Sequence, residues 1–372
     1  MILSYILGLV AFLIILGLLV TIHELGHFLA AKWAKMRVEE FSIGFPPRIY
    51  NRQAGETKYV LGLLPLGGYV RIAGEQDEPE KGVTPEPGTF LSASVPKRMV
   101  VILAGVFMNF MLGWLILVVA FSVGFTSLTQ DLTTVPGAQL VREEVLIVSV
   151  RGESPADTAG IQAGDILRSF EVNDEEVTVR TPAELLTMAT GWQESGVSAV
   201  TAKVTRQGEE VLLPITIAPT GLALGVGIQS IDTVRVPVWQ APVVAARESW
   251  GIMRLTGEAL ARFGDRLFTR GELDESVSGP IGVYQATTTA TKIGFSQLVL
   301  LTVVLSLNLG VLNLLPIPAL DGGRFLFLVA EALTGGRPQW LVLAERWLVQ
   351  LSFAAVLLLM ALITVRDIFH LF

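Results

Sequence analysis

Two histidines four residues apart enclose a glutamate in His23-Glu24-Leu25-Gly26-His27. On a helix, residues i and i+4 share a face, so both imidazoles reach one metal ion and Glu24 stands beside it. A carboxylate so placed takes a proton from a water that the metal activates, which is hydrolytic chemistry. The three histidines of the chain are His23, His27 and His370, and there is no cysteine. Thiolate zinc sites, thiol catalysis and disulfides are excluded. His370, third from the end, is set aside, so the third ligand is sought among the acidic residues.

That ligand is found in Asn313-Leu314-Leu315-Pro316-Ile317-Pro318-Ala319-Leu320-Asp321-Gly322-Gly323-Arg324. The prolines break an apolar helix, Asp321 sits in the break, and the two glycines let the backbone approach another group. An acidic residue inside an apolar segment is a functional candidate by default. Asp321 completes a set of two His, one carboxylate and an open position for water. The competing reading of Asp321 is a helix cap. Asn313 is read as a group that polarises the scissile carbonyl or orients a substrate backbone, the alternative being support of the broken helix. Asn308 is a neighbour-of-site candidate for which helix packing is the favoured role. Glu331 reads as a polar residue near an interface, the alternative being a group that supports the metal ligands from behind.

These motifs must be positioned by membrane helices. The chain has 372 residues, 51% hydrophobic and 16% charged, with mean hydropathy +0.58. Four apolar segments are long enough to span: Tyr5 to about Trp33, Met99 to Phe125, Phe295 to Leu315, and about Trp347 to Ile363. The first contains the HExxH pattern. It is read as a retained span and not a signal peptide, because it lacks a basic start and its apolar run is too long. The net charge of −7 argues against nucleic acid as a partner. Lys32, Lys35 and Arg37 follow the first span and Lys97 and Arg98 precede the second, whereas no Lys or Arg lies between Phe125 and Val141. The loop between the first two spans is therefore expected in the cytoplasm, with both termini and the region from Thr126 to Lys292 outside.

Lys58 to Ile72 reads as two short strands around a Pro/Gly-rich turn at Pro65-Leu66-Gly67-Gly68. Tyr59, Leu61, Leu63, Gly67, Gly68, Tyr69 and Val70 would line a re-entrant hairpin that offers a strand edge to substrate. The plainer reading is a hairpin packed on the membrane surface. Gln76 to Gly88 reads as a mobile acidic loop. A small α+β domain is expected over 139–232. It has a strand at Val145–Val150, a short helix and Gly turn over Ser154–Leu167, a helix capped by Thr181, and strands near 198–205 and 210–217. This pattern resembles a circularly permuted PDZ domain, in which Leu224, Gly225, Val226 and Gly227 would supply the loop that receives a peptide C-terminus. Val238 to Lys292 reads as amphipathic helices at the outer membrane surface, or as a helical linker, and Ser278-Gly279-Pro280-Ile281-Gly282 as a turn. The division is thus an N-terminal membrane part (1–126), the PDZ-like domain (139–232), linker helices (233–292) and a C-terminal membrane part (293–372).

HExxH, the segment Asn313 to Gly323, Phe41-Ser42-Ile43-Gly44-Phe45-Pro46-Pro47 and an insert between the second and third spans together resemble the site-2 protease family. Within it the chain is most similar to the regulator of sigma-E protease group. The resemblance covers nearly the whole chain. It implies four core spans in a bacterial cytoplasmic membrane and one zinc ion held by His23, His27 and Asp321, with Glu24 as base. It also implies a substrate class: single-pass membrane proteins, such as anti-sigma factors, already trimmed outside by an upstream site-1 protease. The hairpin would pair with substrate and the PDZ region would exclude untrimmed forms. Well-studied relatives carry two PDZ domains in tandem, and this chain has room for one. The rival reading from another class is a non-catalytic PDZ receptor with structural zinc. Structural zinc sites usually fill all four positions with protein ligands, and here three are visible beside a base. A metal transporter fits poorly, for want of polar residues to line a path.

Overall fold

Thirty-two residues free of proline, with Glu24 as their one acid, Ile2–Trp33, form the first helix, α1, with Lys32 in its last turn where a cation meets the negative helix end. In the computed structural model, residues 2–75, 86–173, 175–206, 209–218, 224–271 and 279–369 are described, so the acidic loop expected at 76–88 lies largely outside them, as does His370. The chain divides into two units: residues 1–116, 249–288 and 300–372 form the first, and 117–248 with 289–299 the second. Among the described residues four helices are long and apolar enough to cross a membrane: Tyr5–Trp33, Val95–Val123, Phe295–Leu314 and Gln339–Asp367. A membrane protein with an added β domain is what the sequence predicts. The fourth helix, however, starts well before Trp347, because the polar turn preceding the apolar run is itself helical.

In the first unit α1 leads into strands β1 (Val38–Ala54) and β2 (Thr57–Ile72), which pair antiparallel around Gly55. Their register folds on itself. Residues 40–43 stand opposite 68–71 on one side and opposite 58–61 on the other, while 48–54 stand opposite 57–62. Four segments therefore lie side by side in the order 48–54, 57–62, 40–43 and 68–72. This corrects the hairpin expected within 58–72. Pro65 and Gly67 mark a chain bend, as local turn residues do, but the halves on either side of that bend are separated by an upstream segment. Ile43, Phe45, Ile49, Leu61, Leu63, Leu64 and Leu66 are exposed near that bend and near the link between segments 40–43 and 48–54. The charged residues Arg52, Glu56, Lys58 and Arg71 lie toward the other end.

Helix α2 (Val95–Val123) follows, with Pro96 in its first turn, where its missing N–H costs nothing. Helices α7 (Phe295–Leu314), α8 (Asp321–Leu333) and α9 (Gln339–Phe369) complete the membrane part. Ala31, Met36, Val38, Ile72, Phe90, Val101, Ile102 and Leu328 form one buried cluster that joins the end of α1, the strand ends, α2 and α8.

The second unit holds a six-stranded sheet. Strands β3 (Gln139–Val150), β4 (Ile166–Val172), β6 (Ala199–Arg206), β7 (Glu209–Thr216) and β8 (Val226–Arg235) run in the order β7-β6-β4-β3-β8, and β5 (Glu175–Thr178) pairs with β4. Short helix α3 (Pro155–Thr158) is capped by Ser154. Helix α4 (Pro182–Glu194) starts with the complete capping box of Thr181 and Glu184 that the sequence predicts. Phe170 and Trp192 meet edge to face at 4.9 Å in the core.

Helices α5 (Ala241–Arg270) and α6 (Pro280–Ile293) occupy the expected amphipathic stretch. The turn expected over 278–282 is corrected: Ser278 lies outside the described residues, and Pro280 opens a helix instead of a loop, the role its fixed φ suits.

Candidate active site

Helix α1 carries His23, Glu24 and His27 within its membrane-crossing length Tyr5–Trp33. His23 lies 18 residues after Tyr5, about 27 Å along the axis. The backbone chain after α7 turns at Pro316 and Pro318 and re-enters as α8, whose first residue is Asp321. The turn is tight enough that a Cβ on Gly322 would stand 2.3 Å from the Leu314 carbonyl oxygen, and one on Gly323 would stand 2.2 Å from that of Ile317. This is the close approach anticipated for the two glycines.

The result is a triangle of donors. His23 Nε2 lies 3.1 Å from Asp321 Oδ2, His27 Nε2 lies 3.4 Å from it, and the two Nε2 atoms are 3.1 Å apart. Ligands about 2.0–2.1 Å from a tetrahedral zinc stand about 3.3 Å from one another. Asp321 Oδ2 is buried with no polar partner besides the two imidazole nitrogens of the triangle, as suits an oxygen reserved for a cation. His27 Nδ1 donates to the Val101 carbonyl oxygen at 2.8 Å, which leaves the Nε2 lone pair facing the triangle. The residues fit zinc, and no fourth protein ligand joins them among the described residues.

Glu24 is oriented by the sheet. The Val70 N–H donates to Glu24 Oε2 at 3.1 Å. The strand edge at 68–72 therefore runs beside the candidate base. Here too a sequence expectation needs correction. Segment 58–61 is paired on both sides, so Tyr59 and Leu61 have no free backbone edge to offer, and Tyr59 packs on Phe28 and Phe41. Leu63, near the bend, presents an exposed side chain. Gly67 lies at positive φ against Val20 of α1, and a Cβ on Gly68 would meet the Ser42 carbonyl oxygen at 2.5 Å, so both glycines serve packing. Tyr69 donates to Glu40 and stacks on Phe45. Of the proposed edge residues, Val70 is the one whose backbone meets the α1 motif.

Asn313 is half-buried one residue before the end of α7. Asn308 does not touch the histidines: its Oδ1 accepts from Thr256 Oγ1 of α5 at 2.6 Å, the packing role favoured for it. In the second unit, Leu224, Gly225, Val226 and Gly227 lead into β8, an edge strand. Gly225 has φ +78°, and the carbonyls of Leu224 and Gly225 accept from Ala156 and Arg151 N–H.

Several residues near the site escaped the sequence reading. A Cβ on Gly105 of α2 would sit 2.4 Å from His27 Nε2, and Asn109, one turn on, is fully buried with Nδ2 3.2 Å from His23 Nδ1. The signal was present. A buried Asn in an apolar helix demands a partner, and Asn109 carries that signal as Asn308 and Asn313 do. Glu331 is also corrected. It is buried and receives a bidentate bond from Arg98, with Arg98 Nη1 to Oε2 at 3.0 Å. Arg324 Nη2 reaches Glu75 Oε1 at 2.6 Å. Helix α8, which carries Asp321, is thus tied to the chain after β2 at one end and to α2 at the other. Removing one member of the buried pair leaves a charge uncompensated. Glu331→Ala should destabilise the detergent-solubilised protein by about 3–5 kcal/mol, while Arg98→Met with Glu331→Leu should recover most of that loss. Denaturation midpoints of the two variants check this.

Nitrogen and oxygen donors converging inside a set of membrane-spanning helices, with a carboxylate alongside, are the geometry of a membrane-embedded metal hydrolase. The description of Peptidase family M50 matches residues 11–359. The chain is similar to zinc metalloprotease RasP of Oceanobacillus iheyensis, at 29% identity over 98% of this chain and 99% of that protein. It is likewise similar to zinc metalloprotease RasP of Shouchella clausii, at 28% identity over 98% and 99%. The chain belongs to Peptidase family M50, and it is an intramembrane zinc metalloendopeptidase of the site-2 protease type.

Proposed function

We propose that this protease hydrolyses peptide bonds within or near the transmembrane segments of single-pass membrane proteins already shortened outside by another protease. Anti-sigma factors are of that kind. His23, His27 and Asp321 would hold one zinc ion. The observation that carries this assignment is the 3.1–3.4 Å triangle of their donor atoms. Bound zinc acidifies a water to a pKa of about 7 and polarises the scissile carbonyl. Glu24 takes the water proton and delivers it to the leaving amine. The Asn313 side chain, with no hydrogen bond to another described residue, is available to a substrate carbonyl. Both termini and the PDZ-like domain are assigned to the outside of a bacterial cytoplasmic membrane. The active site then lies toward the cytoplasmic side, as Lys32, Lys35, Arg37, Lys97 and Arg98 suggest. Leu224 to Gly227 and the outer edge of β8 ahead of Val234, where Phe125 pairs with it, would receive an extended peptide, such as the end left by the first cut.

A transmembrane helix hides its peptide bonds in its own hydrogen bonds, so the substrate must unwind to be cut. Strand addition at Gly67–Ile72 would hold it extended beside Glu24. The absence of cysteine allows a direct test. Single cysteines at Leu66 and Arg71, in a Glu24→Gln background, are cross-linked to a reporter carrying a cysteine at successive positions of its membrane segment. Strand addition predicts cross-links at every second reporter position. A helical repeat, or no cross-link, would refute the strand edge.

A further inference from the structure

Helix α2 presents one group per turn to the two histidines: the Val101 carbonyl, Gly105 and Asn109. The first orients His27 and the second makes room for both rings. Asn109 has no such evident task, yet its side chain is fully buried in an apolar helix. Burying an amide there is costly unless its bonds are used. Packing does not account for it: helix α2 is held at this depth by the backbone of Asn109, whose carbonyl accepts from Ser306 Oγ of α7 at 2.8 Å.

The amide stands with Nδ2 3.2 Å from His23 Nδ1, and Oδ1 has no partner. In that orientation Nδ1 accepts a hydrogen bond, so the neutral ring carries its proton on Nε2, the nitrogen that faces Asp321. A protonated Nε2 cannot ligate a metal. A half-turn of the amide puts Oδ1 opposite Nδ1 instead. The ring then carries its proton on Nδ1 and turns a bare Nε2 to the centre. The first orientation leaves Oδ1 buried and unpaired, so hydrogen bonding gives it no advantage over the second. The demand of His23 for a lone pair on Nε2 selects the second.

We propose that Asn109 is the positioning residue of His23: its amide oxygen accepts the Nδ1 proton and thereby fixes the ring and tautomer that bind metal. The inference rests on the reading of His23, His27 and Asp321 as zinc ligands. It gives the two histidines matched supports on one helix, the Val101 backbone carbonyl for His27 and the Asn109 side-chain amide oxygen for His23.

The test is zinc affinity of the full-length protein in detergent, by chelator competition, with the visible spectrum of the cobalt-substituted protein as a second readout. Asn109→Leu keeps the volume and removes the acceptor. It should weaken zinc binding about 10–100-fold and shift the cobalt bands. Asn109→Asp keeps an acceptor and should bind zinc as wild type does. Should the leucine variant fail to fold, Asn109→Ala removes the acceptor without adding bulk and carries the same comparison. Wild-type affinity in the leucine or alanine variant overturns the proposal, as does an Asn109→Asp variant as weak as they are. Asp321→Ala is measured alongside. If it holds zinc as tightly as wild type, the ligand assignment itself has failed, an outcome separate from any behaviour of Asn109.

Discussion

Glu24→Gln should hold zinc at the wild-type level and cleave a membrane reporter about 10²–10⁴-fold more slowly, the usual contribution of a general acid–base group. The substitution is a narrow one. The glutamine carbonyl can keep the bond now made by the Val70 N–H at 3.1 Å, so the strand edge stays beside α1. None of the three converging donor atoms belongs to Glu24. What disappears is the group that accepts the proton of water and returns it to the leaving amine. Zinc content and cleavage measured on the same sample separate the two effects. A Glu24→Gln protein that cuts like wild type would show that the base is elsewhere. Full zinc occupancy with no cleavage by wild type, across several reporters, would favour the receptor reading.

The second large effect is expected at Gly105. A Cβ there would stand 2.4 Å from His27 Nε2 and 2.8 Å from His23 Cε1, distances that real Cβ atoms do not adopt. The neighbours cannot yield freely, because His27 is bound to the Val101 carbonyl one turn away and a Cβ on Gly26 of α1 would meet the Ala104 carbonyl oxygen at 2.3 Å. Gly105→Val should therefore push the imidazoles off their positions. Overpacking of this kind costs about 1–3 kcal/mol or more, which corresponds to about 10–100-fold in metal affinity. Gly105→Ala should fall between that variant and wild type. Chelator competition measures both. Wild-type affinity in Gly105→Val would mean that α2 does not pack over the histidines as described.

The parts legible in the sequence are those written in local spacing. HExxH declares its own geometry, because a helix repeats every 3.6 residues and places His23 and His27 together. The Pro316/Pro318 break with Gly322 and Gly323 announces a tight re-entry, and the structure brings Asp321 there. Thr181 and Glu184 cap a helix by a rule that needs four residues. What stayed hidden depends on contacts between distant segments. The register of β1 and β2 places 40–43 between two halves that look adjacent in sequence. No turn residue encodes that. The bond from Val70 to Glu24 and the pair Arg98–Glu331 join residues 46 and 233 positions apart. Asn109 is an intermediate case. Its type, in the middle of an apolar span, signals a demand for a partner, but the partner is visible only once α1 and α2 are packed.

Mapping the scissile bond shows whether the zinc centre cuts the peptide inside the membrane. The full chain, loaded with zinc, is reconstituted in liposomes with a single-pass reporter that has a short outer tail. Product masses then locate the scissile bond. The expected result is a cut within the reporter's membrane segment or at its edge, absent in Asp321→Ala. Cleavage confined to the soluble tail, or cleavage that persists at the wild-type rate in Asp321→Ala, would contradict it.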